Sequence, residues 1–240
     1  MTTYVLCHGA WGGGWAWARV ARILRDNGHE VFTPTYTGLG ERSHLLTRDV
    51  DLGTHVSDVR GVIRWEQLDD FVLVGHSYGG MVITGVADKE WRGIRRLVYL
   101  DAFLPDDGQS VGDLAGAERA RATLDLAVRA GEGWRVPRPE GSISPDLAAD
   151  DRRWLDDLGT PQPLASFTQE LDIDGNHLLV ADKVYVLASE NPGSPFHAPA
   201  DWTRGRDGWT TVELPTHHHL HLSMPEETAA ILMQPVSKSQ

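Results

Sequence analysis

Short apolar segments recur along the chain and alternate with segments in which apolar residues follow helical spacing. The apolar segments are rich in Val, Leu and Tyr, and their length and composition predict β-strands. Six strands are predicted, at residues 4–7, 30–33, 71–75, 96–101, 183–189 and 210–214. Strands that are apolar on both faces and joined by helices are typical of parallel sheets with helices on each side. The pattern therefore predicts an α/β fold built on a mainly parallel six-stranded sheet flanked by helices.

The alternation breaks after Pro105 and resumes at about Val180. This long segment holds several prolines and two helical patches, at residues 115–130 and 145–158. It follows the carboxyl end of a predicted strand, so an insertion here would lie over that edge of the sheet. We therefore expect a core made of residues 1–104 and 181–240, with residues 105–180 inserted as a helical lid.

The charge and cysteine content exclude several classes of protein. Lys and Arg total 22 against 34 Asp and Glu, which gives a formal net charge of −12 at pH 7. Because this sign repels nucleic-acid phosphates and anionic lipids, we expect neither nucleic acid nor a membrane as partner. The first residues lack the features of a secretory signal, so we expect a cytoplasmic protein. Cys7 is the only cysteine, which leaves no pair for an internal disulfide.

A candidate nucleophile lies between a predicted strand and a predicted helix. The sequence GHSYG at residues 75–79 follows the apolar run 71–74 and precedes a helix-like segment. In this context G-x-S-x-G is typical of a sharp turn that exposes a strained serine, and its glycines prevent a collision between strand and helix. We therefore expect Ser77 to be a nucleophile. The alternative without chemistry is a strand-to-helix turn in which the serine caps the helix.

A serine hydroxyl needs a base within hydrogen-bond reach, and histidine suits this role at neutral pH. The segment THHHLH at residues 216–221 follows the last predicted strand and supplies four candidates. A metal site is a rival interpretation, because His217, His219 and His221 would share one face of an extended segment. No Asp or Glu lies among them, so we expect no metal. Surface histidines without a role are the other alternative.

With these residues in view, the chain resembles the α/β-hydrolase superfamily. Within it, the chain is similar to small cofactor-free serine esterases related to plant methyl-ester hydrolases and hydroxynitrile lyases. The resemblance covers nearly the whole chain. It depends on HGAW at residues 8–11, the serine turn, LDAFLP at residues 100–105 and a histidine seven residues before a helix-starting proline. The resemblance selects His218 as the base and implies neither a metal nor an organic cofactor.

The acid that would orient His218 has two candidates. Relatives usually carry Asp in the loop after the next-to-last strand, where this chain has Asn191. Asp101 ends the strand that follows the nucleophile's strand. Because neighbouring parallel strands lie about 4.8 Å apart, its carboxylate would emerge at the same sheet edge as Ser77. We favour Asp101, which some members of the superfamily use, with Glu190 as the alternative.

Backbone N–H groups are expected to stabilise the oxygen of an attacked carbonyl as it gains negative charge. The amide of Tyr78 is one donor, because it follows the nucleophile at the start of a helix. By resemblance, the amide of Ala10 is the other. A glycine-rich turn after the first strand could also suggest phosphate binding, but the P-loop lysine and the G-x-G-x-x-G order are both lacking.

Four aromatic residues are expected to line an apolar substrate pocket: Trp11, Phe103, Trp134 and Trp154. For those in the lid, core packing is the alternative.

Together these residues predict a serine hydrolase that cleaves a carboxylic ester or lactone through an acyl-enzyme. The acidic surface and an apolar pocket favour a neutral small-molecule substrate. A hydroxynitrile lyase is one alternative, although such relatives carry threonine and lysine where this chain has Gly9 and His219. A ligand-binding protein with slow turnover on the same fold is another. A homodimer is compatible with the sequence.

Overall fold

The computed structural model describes residues 1–235, so residues 236–240 of the predicted core range lie outside the described residues. The strands in this part of the chain are β1 (Thr3–Cys7), β2 (Glu30–Phe32), β3 (Phe71–Ser77), β4 (Ile94–Ala102), β5 (Arg135–Val136), β6 (Gln162–Pro163), β7 (Lys183–Ala188) and β8 (Trp209–Leu214). The six predicted strands are confirmed and form one parallel sheet in the order β2-β1-β3-β4-β7-β8. β5 and β6 form a separate antiparallel pair, which is too short to produce a periodic pattern in the sequence.

Helices connect the strands on both sides of the sheet. In residues 1–235 they are α1 (Ala18–Asp26), α2 (Leu52–Trp65), α3 (Gly79–Glu90), α4 (Val111–Ala115), α5 (Ala117–Ala130), α6 (Ala149–Leu158), α7 (Ala165–Thr168), α8 (His197–Thr203), α9 (Leu220–Ser223) and α10 (Pro225–Met233). Among these described residues, no helix combines the length and apolar character that crossing a bilayer requires.

The sheet carries a hydrophobic core on each face, because successive side chains of a strand point to opposite sides. In β1, Val5 and Cys7 belong to the core that includes residues of α2 and α3. Tyr4 and Leu6 of the same strand belong to the opposite core, which includes residues of α1 and α10. The predicted α/β fold with helices on both faces is therefore confirmed.

The parallel arrangement collects four chain segments at one edge of the sheet. There β1 leads into the loop at residues 8–13, and β3 leads into α3 through Ser77. At the same edge β4 leads into the long insertion, and β8 leads into the histidine segment at residues 216–221. Segments far apart in sequence thus meet where parallel α/β sheets commonly bind ligands.

The insertion between β4 and β7 holds four short or medium helices, α4 to α7, and the β5–β6 pair. The helix predicted at 115–130 begins at Ala117, because Gly116 has a φ of +88° and separates α4 from α5. The helix predicted at 145–158 begins only at Ala149. An ion pair between Arg19 of α1 and Asp151 of α6 joins this segment to the rest of the protein.

Candidate active site

Ser77 ends β3 at the turn into α3 and has a backbone φ of +55°. This left-handed region is uncommon for residues with a side chain and costs on the order of 1–3 kcal/mol. The surrounding backbone packs closely. A Cβ on Gly75 would lie 2.6 Å from the Gly79 carbonyl oxygen, and a Cβ on Gly79 would lie 2.7 Å from that of Cys7. Only glycine fits at these two positions, because any side chain would collide with neighbouring backbone, as the motif predicted.

The imidazole of His218 lies between Ser77 and Asp101. Its Nε2 is 2.9 Å from Ser77 Oγ, and its Nδ1 is 2.6 Å from Asp101 Oδ2. A carboxylate oxygen accepts hydrogen bonds, so the ring proton lies on Nδ1 and Nε2 accepts from the serine hydroxyl. The arrangement is chemically suited to remove the hydroxyl proton while the oxygen attacks an electrophile.

Asp101 is held in one orientation inside the protein. Its side chain is 0% exposed, whereas that of His218 is 20% exposed. The backbone φ at Asp101 is +42°, and the register between β3 and β4 shifts beside it, so that Ser77 pairs with Ala102. The Ala188 N–H donates a hydrogen bond of 3.1 Å to Asp101 Oδ1, which leaves Oδ2 for the imidazole.

The other acid candidate has a different environment. Glu190 is exposed, and its backbone N–H donates to the Thr216 carbonyl oxygen at 3.0 Å. The neighbouring Asn191 accepts a hydrogen bond of 3.0 Å from His197 Nε2 through its carbonyl oxygen. The structure therefore brings the carboxylate of Asp101 to His218 and does not bring that of Glu190.

The loop after β1 has its peptide groups oriented by His8. The Tyr36 N–H donates to His8 Nε2 at 3.2 Å, so the ring proton lies on Nδ1, which donates to the Gly9 carbonyl oxygen at 2.7 Å. Burial lowers the pKa of His8 to about 3, which keeps the ring neutral and preserves this pattern. Because a trans peptide directs its N–H opposite to its carbonyl, His8 also fixes the direction of the Ala10 N–H.

Ala10 and Tyr78 lie with Ser77 in the wall of one cavity. Within residues 1–235, neither the Ala10 N–H nor the Tyr78 N–H donates a hydrogen bond to another protein group. Backbone N–H groups away from water are almost always paired. Two unpaired donors in the same cavity wall as Ser77 are therefore free to bind an oxygen of a ligand.

The loop that carries Ala10 is also fixed from the side of the insertion. The backbone N–H of Trp11 donates to Gln162 Oε1 at 3.1 Å, and its indole Nε1 donates to the Val136 carbonyl oxygen at 2.9 Å. Both acceptors belong to the β5–β6 pair. The insertion is thus hydrogen-bonded directly to the loop that carries Ala10.

A cavity of about 1200 Å³ includes Ser77 and His218 in its wall. The rest of the wall comes from the edge of the sheet, from α4, α5 and α7 of the insertion, from the loop after β5 and from Phe196. Trp11 and Phe103, which we expected from the sequence to contact a substrate, lie in this wall. The aromatic ring of Phe196 stacks on the His218 imidazole with 5.0 Å between ring centroids, which excludes water from one face of the base.

Two tryptophans expected in this pocket are not part of its wall, which corrects that expectation. Trp154 of α6 packs edge-on against Trp15, with 4.8 Å between ring centroids. Trp134 lies under the guanidinium groups of Arg48 and Arg135, at 5.4 and 5.1 Å from the ring centroid. The sequence identified both as large apolar side chains in the insertion, but not the direction in which each one points.

Comparison with known proteins agrees with this geometry. The profile of the Alpha/beta hydrolase family matches residues 4–231. The chain belongs to this family. The resemblance noted in the sequence is therefore confirmed over nearly the whole chain.

Relatives of this α/β hydrolase include named esterases. The carbendazim hydrolyzing esterase of Nocardioides sp. (strain SG-4G) is 41% identical over 235 residues, which cover 95% of this chain and 97% of that protein. Salicylic acid-binding protein 2 of Nicotiana tabacum is 31% identical over 104 residues, covering 43% of this chain and 40% of that one. An extracellular α/β-hydrolase from a Paenibacillus species superposes with a TM-score of 0.87 at 27% identity, covering 99% of this chain and 100% of that chain.

Two buried histidines of this hydrolase support the site, and sequence reasoning gave them no role. His76 Nε2 donates a 2.9 Å hydrogen bond to the carbonyl oxygen of His218. Burial, with the charges of neighbouring histidines, holds the pKa of His76 well below its usual range. His55 Nε2 donates to the Thr37 carbonyl oxygen at 3.1 Å, so its Nδ1 accepts the hydroxyl of Tyr78 at 2.7 Å. The position of His76 inside the serine motif was the one available signal.

The remaining histidines of the segment at residues 216–221 contact different partners. His219 Nδ1 lies 2.7 Å from Ser144 Oγ, and the ring of His221 lies 4.8 Å from that of Trp17. The backbone N–H of His217 donates to Asp146 Oδ2 at 3.2 Å. Over the described range 1–235, no three His, Cys, Asp or Glu side chains are arranged to hold a metal ion.

Proposed function

We propose that the protein is a serine hydrolase that cleaves carboxylic esters or lactones through an acyl-enzyme. The observation that carries the proposal is the hydrogen-bonded series from Ser77 Oγ through the His218 imidazole to Asp101. The esterase names of relatives support the same reaction class, above all that of the 41% identical carbendazim hydrolyzing esterase.

In the first step Ser77 Oγ forms a bond to the carbonyl carbon of the ester, and its proton moves to His218 Nε2. The electron pair of the carbonyl double bond moves to the oxygen, which becomes negatively charged. The N–H groups of Ala10 and Tyr78 are the donors for this oxyanion. Each well-placed donor lowers the free energy of the transition state by about 3–4 kcal/mol. Asp101 keeps His218 in the required tautomer and stabilises the imidazolium.

In the second step the bond between the carbonyl carbon and the alcohol oxygen breaks. His218 Nε2 returns its proton to the leaving alkoxide, and the acyl group stays on Ser77 as an ester. Water then repeats the sequence: His218 removes a proton from water, the hydroxide adds to the acyl carbon, and the acid is released as the Ser77 hydroxyl re-forms. A lactone follows the same route, with the acid and the alcohol leaving as one molecule.

The insertion at residues 105–180 is proposed to act as a lid that forms the substrate pocket. Its helices α4, α5 and α7 contribute much of the cavity wall opposite the sheet edge. Trp11 and Phe103 are proposed to contact the substrate at the base of this pocket. A cavity of about 1200 Å³ exceeds the size of most small-molecule pockets, so esters with a bulky acyl or alcohol part fit it.

The deciding experiment measures hydrolysis of activated esters, methyl esters, lactones and carbendazim by the native protein and by Ser77→Ala. We expect Ser77→Ala to lower kcat/KM by at least about 10⁴-fold, because the nucleophile is lost. Ser57→Ala is the matched control, since Ser57 is exposed on α2 and its hydroxyl donates to the Gly53 carbonyl oxygen. A burst of alcohol release before the steady state identifies the acyl-enzyme.

Two results contradict this proposal. Native rates in Ser77→Ala rule out the nucleophile. Absence of turnover for every compound of the panel, together with a panel compound that raises the melting temperature of the native protein without being consumed, favours the ligand-binding alternative.

A further inference from the structure

Arg138 is a cationic residue that shares cavity walls with the proposed nucleophile. It lies in the wall of the large cavity together with Ser77 and His218. It also lies in the wall of a second, much smaller cavity of about 40 Å³, which again includes Ser77 and His218. Arg138 therefore shares two cavity walls with Ser77 and His218.

The guanidinium of Arg138 has little of its hydrogen-bonding capacity satisfied. Within residues 1–235, its one hydrogen bond runs from Nη2 to the Leu155 carbonyl oxygen at 3.2 Å. It has no ion-pair partner there, and Asp156 acts on it only from a distance. Burial lowers the pKa of Arg138, as expected for a cation withdrawn from water without a carboxylate beside it.

A structural role accounts for only part of this arrangement. Leu155 lies in the last turn of α6, where a cation interacts favourably with the free carbonyl groups of the helix end. That contact uses one of the five N–H groups of Arg138. A partly buried cation is costly unless an acceptor compensates for the lost water, and Arg138 lies in the wall of the cavities where a ligand could supply that acceptor.

The charges around the large cavity differ from those of the whole chain. Arg119, Arg129 and Arg138 lie in its wall against Asp113 and Glu140, so positive side chains are in excess. Each of the three guanidinium groups donates to backbone carbonyl oxygens. The chain as a whole carries −12. An excess of positive side chains in a cleft favours anionic ligands there, even when the chain as a whole is negative.

We propose that Arg138 binds a carboxylate of the substrate, so that the preferred ester carries an anionic group in addition to its scissile bond. This inference rests on the proposed ester hydrolysis and names the substrate class for that same site. It also revises the preference for neutral substrates that the acidic surface and an apolar pocket suggested. Arginine is suited to the role because its planar donors match the two oxygens of a carboxylate.

The test compares matched pairs of esters that differ in one charge. One pair is 4-acetoxybenzoate and 4-acetoxybenzamide, with the charge on the alcohol part. The other is monomethyl terephthalate and methyl 4-carbamoylbenzoate, with the charge on the acyl part. We expect the native protein to have a kcat/KM at least about tenfold higher for the carboxylate of at least one pair.

Arg138→Gln is expected to remove that preference while retaining hydrolysis of the neutral esters. Arg152→Gln is the matched control, because Arg152 is exposed on α6, donates to the Pro145 carbonyl oxygen and lies outside the wall that contains Ser77. Equal or lower kcat/KM for the carboxylate in both pairs overturns the proposal. A preference that persists in Arg138→Gln also overturns it.

A second measurement needs only the native protein and so does not depend on how a variant folds. Benzoate and benzamide are compared as competitive inhibitors of the hydrolysis of 4-acetoxybenzamide. We expect benzoate to bind at least about tenfold more tightly, and equal inhibition constants contradict the anion site. The two proposals fail separately: Ser77-dependent hydrolysis without charge preference removes only the role of Arg138, whereas hydrolysis that survives Ser77→Ala removes the proposed function.

Discussion

The edge of the sheet and the insertion contribute to the same cavity but are built differently. In α3, which begins beside Ser77, ten consecutive residues from Gly79 to Asp88 are buried. In α5, which forms part of the opposite wall, only Ala127 is buried although the helix is longer. The groups proposed to perform the chemistry therefore lie on tightly packed elements, whereas much of the pocket wall lies on a loosely packed one.

This difference shows how one site can combine rigidly placed functional groups with a pocket wall that tolerates substitution. Ser77 and Asp101 adopt left-handed backbone conformations that the surrounding core imposes, and His8 and His218 are oriented by hydrogen bonds to buried groups. Functional groups need placement within about 0.5 Å, which rigid elements provide. The surface of a half-exposed helix tolerates substitution, so substrate preference is free to vary there.

The largest expected effect concerns the acid. We expect Asp101→Asn to lower kcat by about 10⁴-fold, because an amide that donates to His218 stabilises the wrong tautomer. Glu190→Gln is the matched change at an exposed carboxylate, and we expect a change of less than about twofold. Steady-state kinetics on an activated ester measures both variants. If Glu190→Gln has the larger effect, the assignment of the acid is wrong.

The contrast in packing predicts a difference in local stability. We expect backbone amides of α3 to exchange with deuterium at least about a hundredfold more slowly than those of α5, because opening α5 exposes little apolar surface. Hydrogen exchange followed by mass spectrometry at neutral pH provides the comparison within one sample. Similar protection of the two helices contradicts the idea of a loosely packed wall.

Two glycines of the loop after β1 differ in how closely they pack against Ser77 and its neighbours. A Cβ on Gly9 would lie 2.9 Å from His76 Nδ1 and 3.2 Å from Ser77 Cβ, whereas a Cβ on Gly12 meets no atom closer than 3.6 Å. We expect Gly9→Ala to lower kcat/KM by about ten- to a hundredfold through displacement of the reacting groups. Gly12→Ala, the control, is expected to stay within about twofold. Equal losses in kcat/KM for the two variants contradict the close fit.

The buried histidines predict how stability responds to acid. Burial lowers the pKa of His221 to about 3, against about 6.5 in an unfolded chain, so only the unfolded state binds this proton between those values. The free energy of unfolding therefore falls as pH decreases from 6.5 towards 3, by up to about 1.4 kcal/mol per pH unit for this residue. Urea unfolding of His221→Met at pH 7, 6 and 5 is expected to give a slope smaller by that amount.

The exposed His44 provides the control for this measurement. We expect His44→Gln to keep the slope of the native protein, because the substitution leaves the core around His221 unchanged. An unchanged slope in His221→Met means that its imidazole is accessible to protons in the folded state.

The pattern of the sequence predicted the sheet well and the insertion less well. The four inner strands β1, β3, β4 and β7 carry nearly continuous apolar runs, because central parallel strands are buried on both faces. The β5–β6 pair has two residues per strand and leaves no pattern, yet it holds Trp11 through hydrogen bonds. Helix ends in the insertion shifted by two to four residues, as at Ala117 and Ala149, because partly exposed helices have a weak apolar stripe.

The sequence by itself determined the class of fold and the serine turn, since these depend on local spacing and on residue types that few other structures accommodate. Contacts between distant segments decided the rest. Three features arise only when the chain is folded: the approach of Asp101 to His218 across 117 positions, the hydrogen bonds that orient His8, and the location of Arg138 in the same cavity wall as Ser77. Such contacts depend on directions in space, which the order of residues along one segment does not encode.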